Sequence, residues 1–219
     1  MEEFIVTVDG PAGSGKSTIA KIVAAKYGLT YLDTGAMYRM IALYALKNNV
    51  NLEDEKSVEA MLENTKLDII ENKFFLNGED VSEEIRTPEV SAIVSPVAAI
   101  KSVRVKLVEL QREISKGKKT ILDGRDIGTV VFPNAQVKIF LIASPEERAR
   151  RRFNEYKEKG IEADFESVIT SIKERDRIDS TRKESPLMKA DDAVEIDSSI
   201  MTIEEVVQAI SKCIDRKVN

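Results

Sequence analysis

Eight consecutive residues near the N-terminus have the types and the spacing of a phosphate-binding loop, or P-loop. They run Gly10-Pro11-Ala12-Gly13-Ser14-Gly15-Lys16-Ser17 and match the pattern G-x-x-x-x-G-K-S. Glycines let the backbone turn tightly and bring its N–H groups close to phosphate oxygens. Lys16 would place its charge on the β- and γ-phosphates, and the Ser17 hydroxyl would coordinate Mg²⁺. The alternative is a glycine-rich turn that ends in Lys-Ser by chance.

A second group of charged residues, Asp123-Gly124-Arg125-Asp126, follows a later apolar run. In a P-loop protein, an aspartate at the end of a buried strand is the expected Walker B residue, so Asp123 would hold Mg²⁺ through water. Gly124 would let a ligand approach the backbone, while Arg125 and Asp126 would place both signs of charge at the pocket. The alternative is a charged surface loop.

Two helical segments carry arginines on one face. Residues 144–147, Ser-Pro-Glu-Glu, predict a helix start with a capping box. Arg148, Arg151 and Arg152 then share one face, and we interpret residues 148–165 as a lid over a bound nucleotide. A solvated helix face whose arginines pair with nearby glutamates is the alternative.

In the second segment, Arg175, Asp179 and Arg182 are spaced i, i+4, i+7 and offer donors to a phosphate and an acceptor to a hydroxyl. Ordinary ion pairing explains Arg175 with Asp179 but leaves Arg182 unused.

A further arginine, Arg39, follows a helix start that Asp33 or Thr34 would cap. A helix cap plus a surface arginine explains those residues equally well.

Composition excludes several classes of chemistry. The chain has 219 residues and contains no histidine, so catalytic triads, histidine general bases and histidine metal sites are ruled out. The net charge of −5 argues against a nucleic-acid polymer as partner. An acidic start, no apolar run of membrane-spanning length and a single Cys213 predict a cytoplasmic protein with no membrane partner.

Apolar runs alternate with helical patterns along the chain, which predicts an α/β fold. We expect a P-loop NTPase-type parallel sheet of five strands flanked by helices, with ligands at the carboxyl ends of the strands. The P-loop fits this scheme, because a strand precedes it and a helix over Ser17–Tyr27 follows it. The predicted strands are Phe4–Val8, Thr30–Leu32, Thr120–Asp123, Val137–Ile142 and Ala193–Ile196.

Residues 66–84 interrupt the alternation. Two short strand candidates are followed by Asn77-Gly78, a strong hairpin signal, so we expect a small antiparallel β insertion outside the main sheet. After it, Thr87-Pro88 starts a helix that we expect to continue to about Lys116, with Pro96 as its breaking point.

Three motifs that follow the P-loop resemble the bacterial cytidylate (CMP) kinases. They are D-T-G-A-M-Y-R at 33–39, D-G-R-D-I-G-T-V-V-F-P at 123–133 and R-D-x-x-D-x-x-R at 175–182. The resemblance extends from about Phe4 to Ile210. The second motif is specific, whereas the P-loop is common to a very large superfamily. The small β insertion is also similar to that of the bacterial branch.

The resemblance implies a single nucleoside monophosphate kinase domain over 1–219, a monomer that transfers the ATP γ-phosphoryl group to CMP or dCMP with Mg²⁺. It implies that residues 10–17 and Thr18 hold ATP, and that Ser17 and Asp123 hold the metal. Lys16, Asp123, Arg125, Arg148 and Arg152 would be catalytic. Arg39, Arg125, Arg175 and Arg182 would bind the acceptor phosphate; Ser95, Arg104 and Asp126 the cytosine; Asp179 with Arg175 the ribose side; and Thr34 and Tyr38 also CMP.

Two other functions fit a P-loop. A kinase of another small metabolite would need a carboxylate near the acceptor hydroxyl and fewer arginines around it. A regulatory ATP-binding NTPase would usually carry a glutamate after the Walker B aspartate, where this chain has Gly124. A nucleoside monophosphate is already an anionic nucleophile, so its phosphorylation needs no general base, which suits a chain without histidine.

Overall fold

The structure is a computed structural model in which residues 3–218 are described. They form two compact units, 3–32 with 115–218 and 33–114. None of the described helices is long and apolar enough to span a membrane. The elements are β1 (Phe4–Asp9), α1 (Lys16–Tyr27), β2 (Thr30–Asp33), α2 (Thr34–Lys47), α3 (Glu55–Glu63), β3 (Leu67–Ile70), β4 (Lys73–Leu76), β5 (Glu79–Asp80), α4 (Pro88–Ala99), α5 (Lys101–Ser115), β6 (Lys119–Gly124), β7 (Val137–Ile142), α6 (Pro145–Glu158), α7 (Phe165–Thr181), β8 (Val194–Asp197) and α8 (Ile203–Val218), with a 3₁₀ turn at Glu84–Arg86 and a π-helical turn at Ile127–Val131.

The main sheet has five strands in the order β2-β6-β1-β7-β8, and the predicted P-loop NTPase-type fold is confirmed. The strands β6, β1, β7 and β8 pair in parallel, with Val8 opposite Asp123. Each predicted strand has its ends within one residue of the observed ones. Buried residues of β1, β6 and β7 pack against α1 and α8 on one face. The carboxyl ends of β1 and β6 therefore lie side by side, so the P-loop and Asp123 share one edge of the sheet.

The predicted β insertion is a three-stranded antiparallel sheet in the order β3-β4-β5, within the unit 33–114. Asn77 and Gly78 join β4 to β5 and both have positive φ, 51° and 88°, as the hairpin signal predicts. The turn between β3 and β4 uses Glu71 and Asn72, also at positive φ. Glutamate is an uncommon residue in that conformation, so the residue types at 71 and 72 do not predict this turn.

The predicted helix break at Pro96 is wrong. Pro96 lies inside α4, and the chain leaves the helical conformation at Ile100, with φ −77° and ψ 124°. There the Arg104 guanidinium donates to the Ala98 carbonyl at 2.9 Å, and so satisfies an acceptor that a helix end leaves unused. A side chain on the following helix, rather than the proline, accompanies the break.

Candidate active site

The P-loop connects the end of β1 to the N-terminus of α1. Gly13 and Gly15 have φ values of 79° and 92°, which glycine adopts without steric cost. No side chain caps α1 after Gly15, so the first N–H groups of the helix are open to a ligand. At Gly10 a Cβ atom would lie 2.0 Å from the Leu141 carbonyl oxygen, so only glycine allows the chain to pass β7 this closely.

Lys16 is buried on the inside of the P-loop, only 5% exposed. Its Nζ donates to the Pro11 carbonyl at 2.6 Å and lies 3.4 Å from the Ser14 hydroxyl. Burial lowers the pKa of Lys16 well below its ordinary value, and the charges of Arg125 and Arg175 lower it further. The nearby carboxylates of Asp123 and Asp9 raise this pKa, but by less. The structure thus brings three of the predicted cationic residues together at the P-loop.

Asp123 lies at the end of β6, where two hydroxyl groups donate to its carboxylate. Ser17 Oγ donates to one oxygen at 3.0 Å, and Tyr31 on β2 donates to the other at 2.8 Å. A serine hydroxyl beside a carboxylate is the oxygen donor set that Mg²⁺ prefers, so these residues fit the metal. Sequence reasoning missed Tyr31, although a tyrosine near the end of a strand adjacent to β6 was the available signal.

Asp179 is the centre of an arginine cluster. Its carboxylate pairs with Arg125 Nε at 2.9 Å and with Arg182 Nη1 at 3.9 Å. Asp179 and Arg182 are both buried. Arg182 follows the last residue of α7 and also donates to the Ser185 carbonyl, so the predicted helix face ends at Asp179. Arg175 lies one helical turn before Asp179 on α7, and its charge acts on Lys16 together with that of Arg125. Guanidinium groups gathered beside the P-loop suit the binding of an anion.

A turn that we name the Asp126 turn, residues 126–131, follows β6. Asp126 is buried and leads into the π-helical segment Ile127–Val131. The Asp9 carboxylate accepts the backbone N–H groups of Ile127 at 2.8 Å and Gly128 at 2.7 Å. Burial raises the pKa of Asp9 to about 7, the charge of Asp126 adds to this, and the two N–H groups oppose it.

Two of the arginines of α6 contact the backbone of the P-loop. Arg148 is buried, and its guanidinium donates to Asp176 at 3.0 and 2.6 Å and to the Ala12 carbonyl at 3.1 Å. Arg151 donates to the Ser14 carbonyl at 3.4 Å. Arg148 therefore braces the P-loop through the Ala12 carbonyl. Its partner Asp176 belongs to the R-D-x-x-D-x-x-R motif, but no role was predicted for it from the sequence.

Arg152 pairs with Glu155 at 3.3 Å on the partly exposed side of α6. One of the two hydrogen bonds of the predicted capping box is present at the start of α6, where Ser144 Oγ accepts the N–H of Glu147 at 3.2 Å. The other half is wrong, because Glu147 pairs with Arg150 and Arg151 while the Ser144 N–H donates to Ser199. Competing arginines one turn away explain the difference.

In the unit 33–114, the remaining predicted residues lie on α2, α4 and α5. Thr34 begins α2, which Asp33 caps by accepting the Ala36 N–H at 2.9 Å, as predicted. Arg39 donates to the Ile85 carbonyl at 3.0 Å and to Ser91 Oγ at 2.9 Å. Arg39 is thus held against the 3₁₀ turn and α4.

The same unit brings Tyr38 and Arg104 together. The Arg104 guanidinium lies 5.3 Å from the centre of the Tyr38 ring, a cation–π distance, and both residues are buried. Ser95 is buried in α4. The contacts hold the Arg104 side chain in one place, which a role in recognising a planar ligand requires.

Known proteins resemble this chain over nearly its whole length. The sequence profile of the family described as cytidylate kinase matches residues 6–216. A protein named cytidylate kinase from Fusobacterium nucleatum is 60% identical over 216 residues, 99% of each chain. Another of that name from Carboxydothermus hydrogenoformans is 51% identical, over 97% of each chain. A crystal structure of an uncharacterized protein from Eubacterium ventriosum matches with a TM-score of 0.54 at 12% identity, covering 98% of this chain and 99% of that one, which supports the fold alone.

Proposed function

The chain belongs to the cytidylate kinase family, and from this premise we propose that it transfers the γ-phosphoryl group of ATP to CMP or dCMP. The products are ADP and CDP or dCDP. The observation that carries the proposal is the arginine cluster around Asp179 beside the buried Lys16. A kinase that phosphorylates the hydroxyl of another small metabolite would need fewer guanidinium groups around the acceptor, and a regulatory NTPase is not favoured either.

The reaction needs positioning and charge neutralisation rather than proton transfer. An oxygen of the CMP phosphate attacks the γ-phosphorus, and the bond from that phosphorus to the β,γ-bridging oxygen breaks. The bridging oxygen leaves with the electron pair on ADP. Because the attacking oxygen is already an anion, no general base is required. The task of the protein is to hold two polyanions in line and exclude water.

On the ATP side, we propose that residues 10–18 bind the triphosphate. The N–H groups of the P-loop and of the α1 N-terminus would donate to phosphate oxygens, and the Lys16 ammonium would contact the β- and γ-phosphates. Ser17 and Asp123 would hold Mg²⁺, which supplies neutralisation of phosphate charge when bound. Arg148 would act through the Ala12 carbonyl, as a brace of the loop. Arg152 remains a proposed contact of the lid at 148–165.

On the CMP side, we propose that Arg125, Arg175 and Arg182 hold the acceptor phosphate and that Asp179 binds the ribose. Asp126 would accept from the N4 amino group of cytosine. In the unit 33–114, the resemblance assigns phosphate binding to Arg39 and the remaining contacts with CMP to Thr34, Tyr38, Ser95 and Arg104. We further propose a monomeric, cytoplasmic enzyme with a single kinase domain, which the unpaired Cys213 suits.

The test is a coupled assay of ADP release with ATP and Mg²⁺ and a panel of acceptors: CMP, dCMP, UMP, AMP, GMP and shikimate, a carboxylate whose acceptor group is a neutral hydroxyl. We expect CMP and dCMP to give the highest kcat/KM. ADP release that no acceptor stimulates would favour a regulatory NTPase, and preference for shikimate would favour a metabolite kinase.

A further inference from the structure

Asp9 occupies a position that the proposed chemistry does not use. It is the last residue of β1, directly before Gly10, and is only 4% exposed. A carboxylate with this little solvent needs donors around it. The donors are two successive backbone N–H groups, those of Ile127 and Gly128, one on each carboxylate oxygen.

These two hydrogen bonds constrain the backbone on the carboxyl side of Asp126. The Asp126 carbonyl in turn accepts from the N–H groups of Val130 and Val131, which closes the turn. Holding two consecutive peptide groups after Asp126 restricts the backbone rotation that helps to orient the Asp126 side chain. Asp9 therefore acts on Asp126 through the backbone.

Gly128 supplies independent evidence that the backbone is held tightly here. A Cβ atom on Gly128 would lie 2.9 Å from Thr7 Oγ1, 3.2 Å from Lys138 Cδ and 3.3 Å from Asp9 Oδ2. Thr7 belongs to the central strand and cannot retreat into the sheet. Only glycine lets the Asp126 turn come close enough to β1 for both hydrogen bonds to form.

We propose that Asp9 is a positioning residue for base recognition, holding the Asp126 turn so that Asp126 meets the N4 amino group of cytosine. This rests on the proposed function, in which Asp126 recognises the base. Because Asp9 directly precedes the P-loop, the same carboxylate links the start of the ATP-binding loop to the turn that selects the acceptor.

The test is Asp9→Asn, which keeps the size of the side chain but turns one acceptor into a donor. An amide NH₂ group would then face a backbone N–H, and the turn would lose one of its two anchors. With saturating ATP at pH 8, we expect the CMP/UMP ratio of kcat/KM to fall roughly tenfold, the effect of one buried hydrogen bond. The KM for ATP should change less than about twofold.

Thr7→Val is the matched control. Thr7 lies on the same strand face, is fully buried, and has its hydroxyl beneath Gly128, but the hydroxyl holds neither N–H group. We expect this variant to keep the CMP/UMP ratio of the wild type. Gly128→Ala disturbs the turn from the other side and should lower the ratio as Asp9→Asn does; it also serves if Asp9→Asn does not fold.

Hydrogen exchange of the peptide that contains residues 127 and 128 is the second readout. We expect faster exchange in Asp9→Asn than in the wild type, and no change in Thr7→Val. An unchanged ratio in folded Asp9→Asn and Gly128→Ala would overturn the proposal, as would a rise in the KM for ATP equal to that for CMP. A wild-type enzyme inactive with CMP overturns the proposed function instead, and the exchange data still show whether Asp9 orders the turn.

Discussion

Two buried aspartates lie at the carboxyl ends of adjacent strands and have different hydrogen-bond donors. Asp9 ends β1 and Asp123 lies near the end of β6, where it pairs in register with Val8, and the two are 4% and 5% exposed. Asp9 accepts from two backbone N–H groups, whereas Asp123 accepts from two side-chain hydroxyls. Peptide groups cannot rotate away without rebuilding the turn, but hydroxyls can turn toward a new ligand.

The comparison shows how the donor, rather than burial, separates the two roles. A carboxylate held by peptide groups is committed to the fold. A carboxylate held by Ser17 and Tyr31 keeps its oxygens available for a hydrated cation, because each hydroxyl is both donor and acceptor. The metal is thus expected at Asp123 and not at Asp9.

The largest expected effect is on the P-loop, which follows Asp9. Lys16→Ala should lower kcat at least about 10³-fold, roughly 4 kcal/mol of transition-state stabilisation, because the Lys16 ammonium lies inside the P-loop at the Pro11 carbonyl, where the phosphates would bind. Stability should not fall, since burial of the Lys16 ammonium is unfavourable. Steady-state kinetics and urea unfolding measure both effects. A variant with more than a tenth of the wild-type rate would contradict the P-loop assignment.

Asp123→Asn should separate the two aspartates directly. We expect kcat to fall roughly a hundredfold and the Mg²⁺ concentration for half-maximal rate to rise, because an amide is a weaker metal ligand than a carboxylate. Asp9→Asn should leave the Mg²⁺ titration where it is in the wild type. Calorimetric titration of Mg²⁺ with ATP present gives a readout independent of turnover. Equal metal dependence in both variants would mean that the two carboxylates do not differ in metal binding.

Asp126→Asn tests the turn that Asp9 holds. The amide can present either an acceptor to cytosine N4 or a donor to uracil O4, so the CMP/UMP ratio of kcat/KM should fall roughly tenfold to a hundredfold. Arg182→Ala is the control, because a phosphate contact carries no information about the base. It should damage both substrates in equal proportion. The same outcome for Asp126→Asn would transfer base recognition to Ser95 and Arg104.

Sequence patterns predicted the central sheet and the glycine loop because both depend on local order. Apolar runs of strand length and the G-x-x-x-x-G-K-S spacing need no knowledge of distant residues. Arg148 shows the limit of prediction from local sequence patterns. Its spacing on α6 predicted a lid, but its partners are Ala12, 136 positions away, and Asp176, 28 positions away. No pattern within one helix contains that information.

Asp9 and Tyr31 escaped notice for a related reason. An aspartate before a P-loop or a tyrosine in a short strand is ordinary, and what makes each informative is the group it meets across the sheet. Tyr31 contacts a residue 92 positions away and Asp9 contacts N–H groups 118 and 119 positions away. The order of the strands in the sheet determines these contacts. Sequence patterns locate the strands along the chain but do not give that order, so they could not predict these contacts.

The smallest expected effect is the pH dependence that Asp9 adds to stability. The pKa of Asp9 is raised to about 7 in the folded protein, from an ordinary value of 3.8. The folded state therefore binds more protons than the unfolded state between these values, and the unfolding free energy falls as pH rises. The contribution is complete below about pH 4 and is lost by the time pH has passed about 7.

Asp9→Asn should remove this dependence, because asparagine does not titrate. We expect the difference in unfolding free energy between wild type and variant to decline between about pH 4 and 7, by at most about 1.4 kcal/mol per pH unit. The charged side chains that act on Asp9 are Asp126, which raises its pKa, and Lys16, which lowers it. Urea unfolding of both proteins at several pH values measures the difference. A difference that stays constant over this range would mean that Asp9 ionises as an ordinary carboxyl, and the two aspartates would then differ only in their donors.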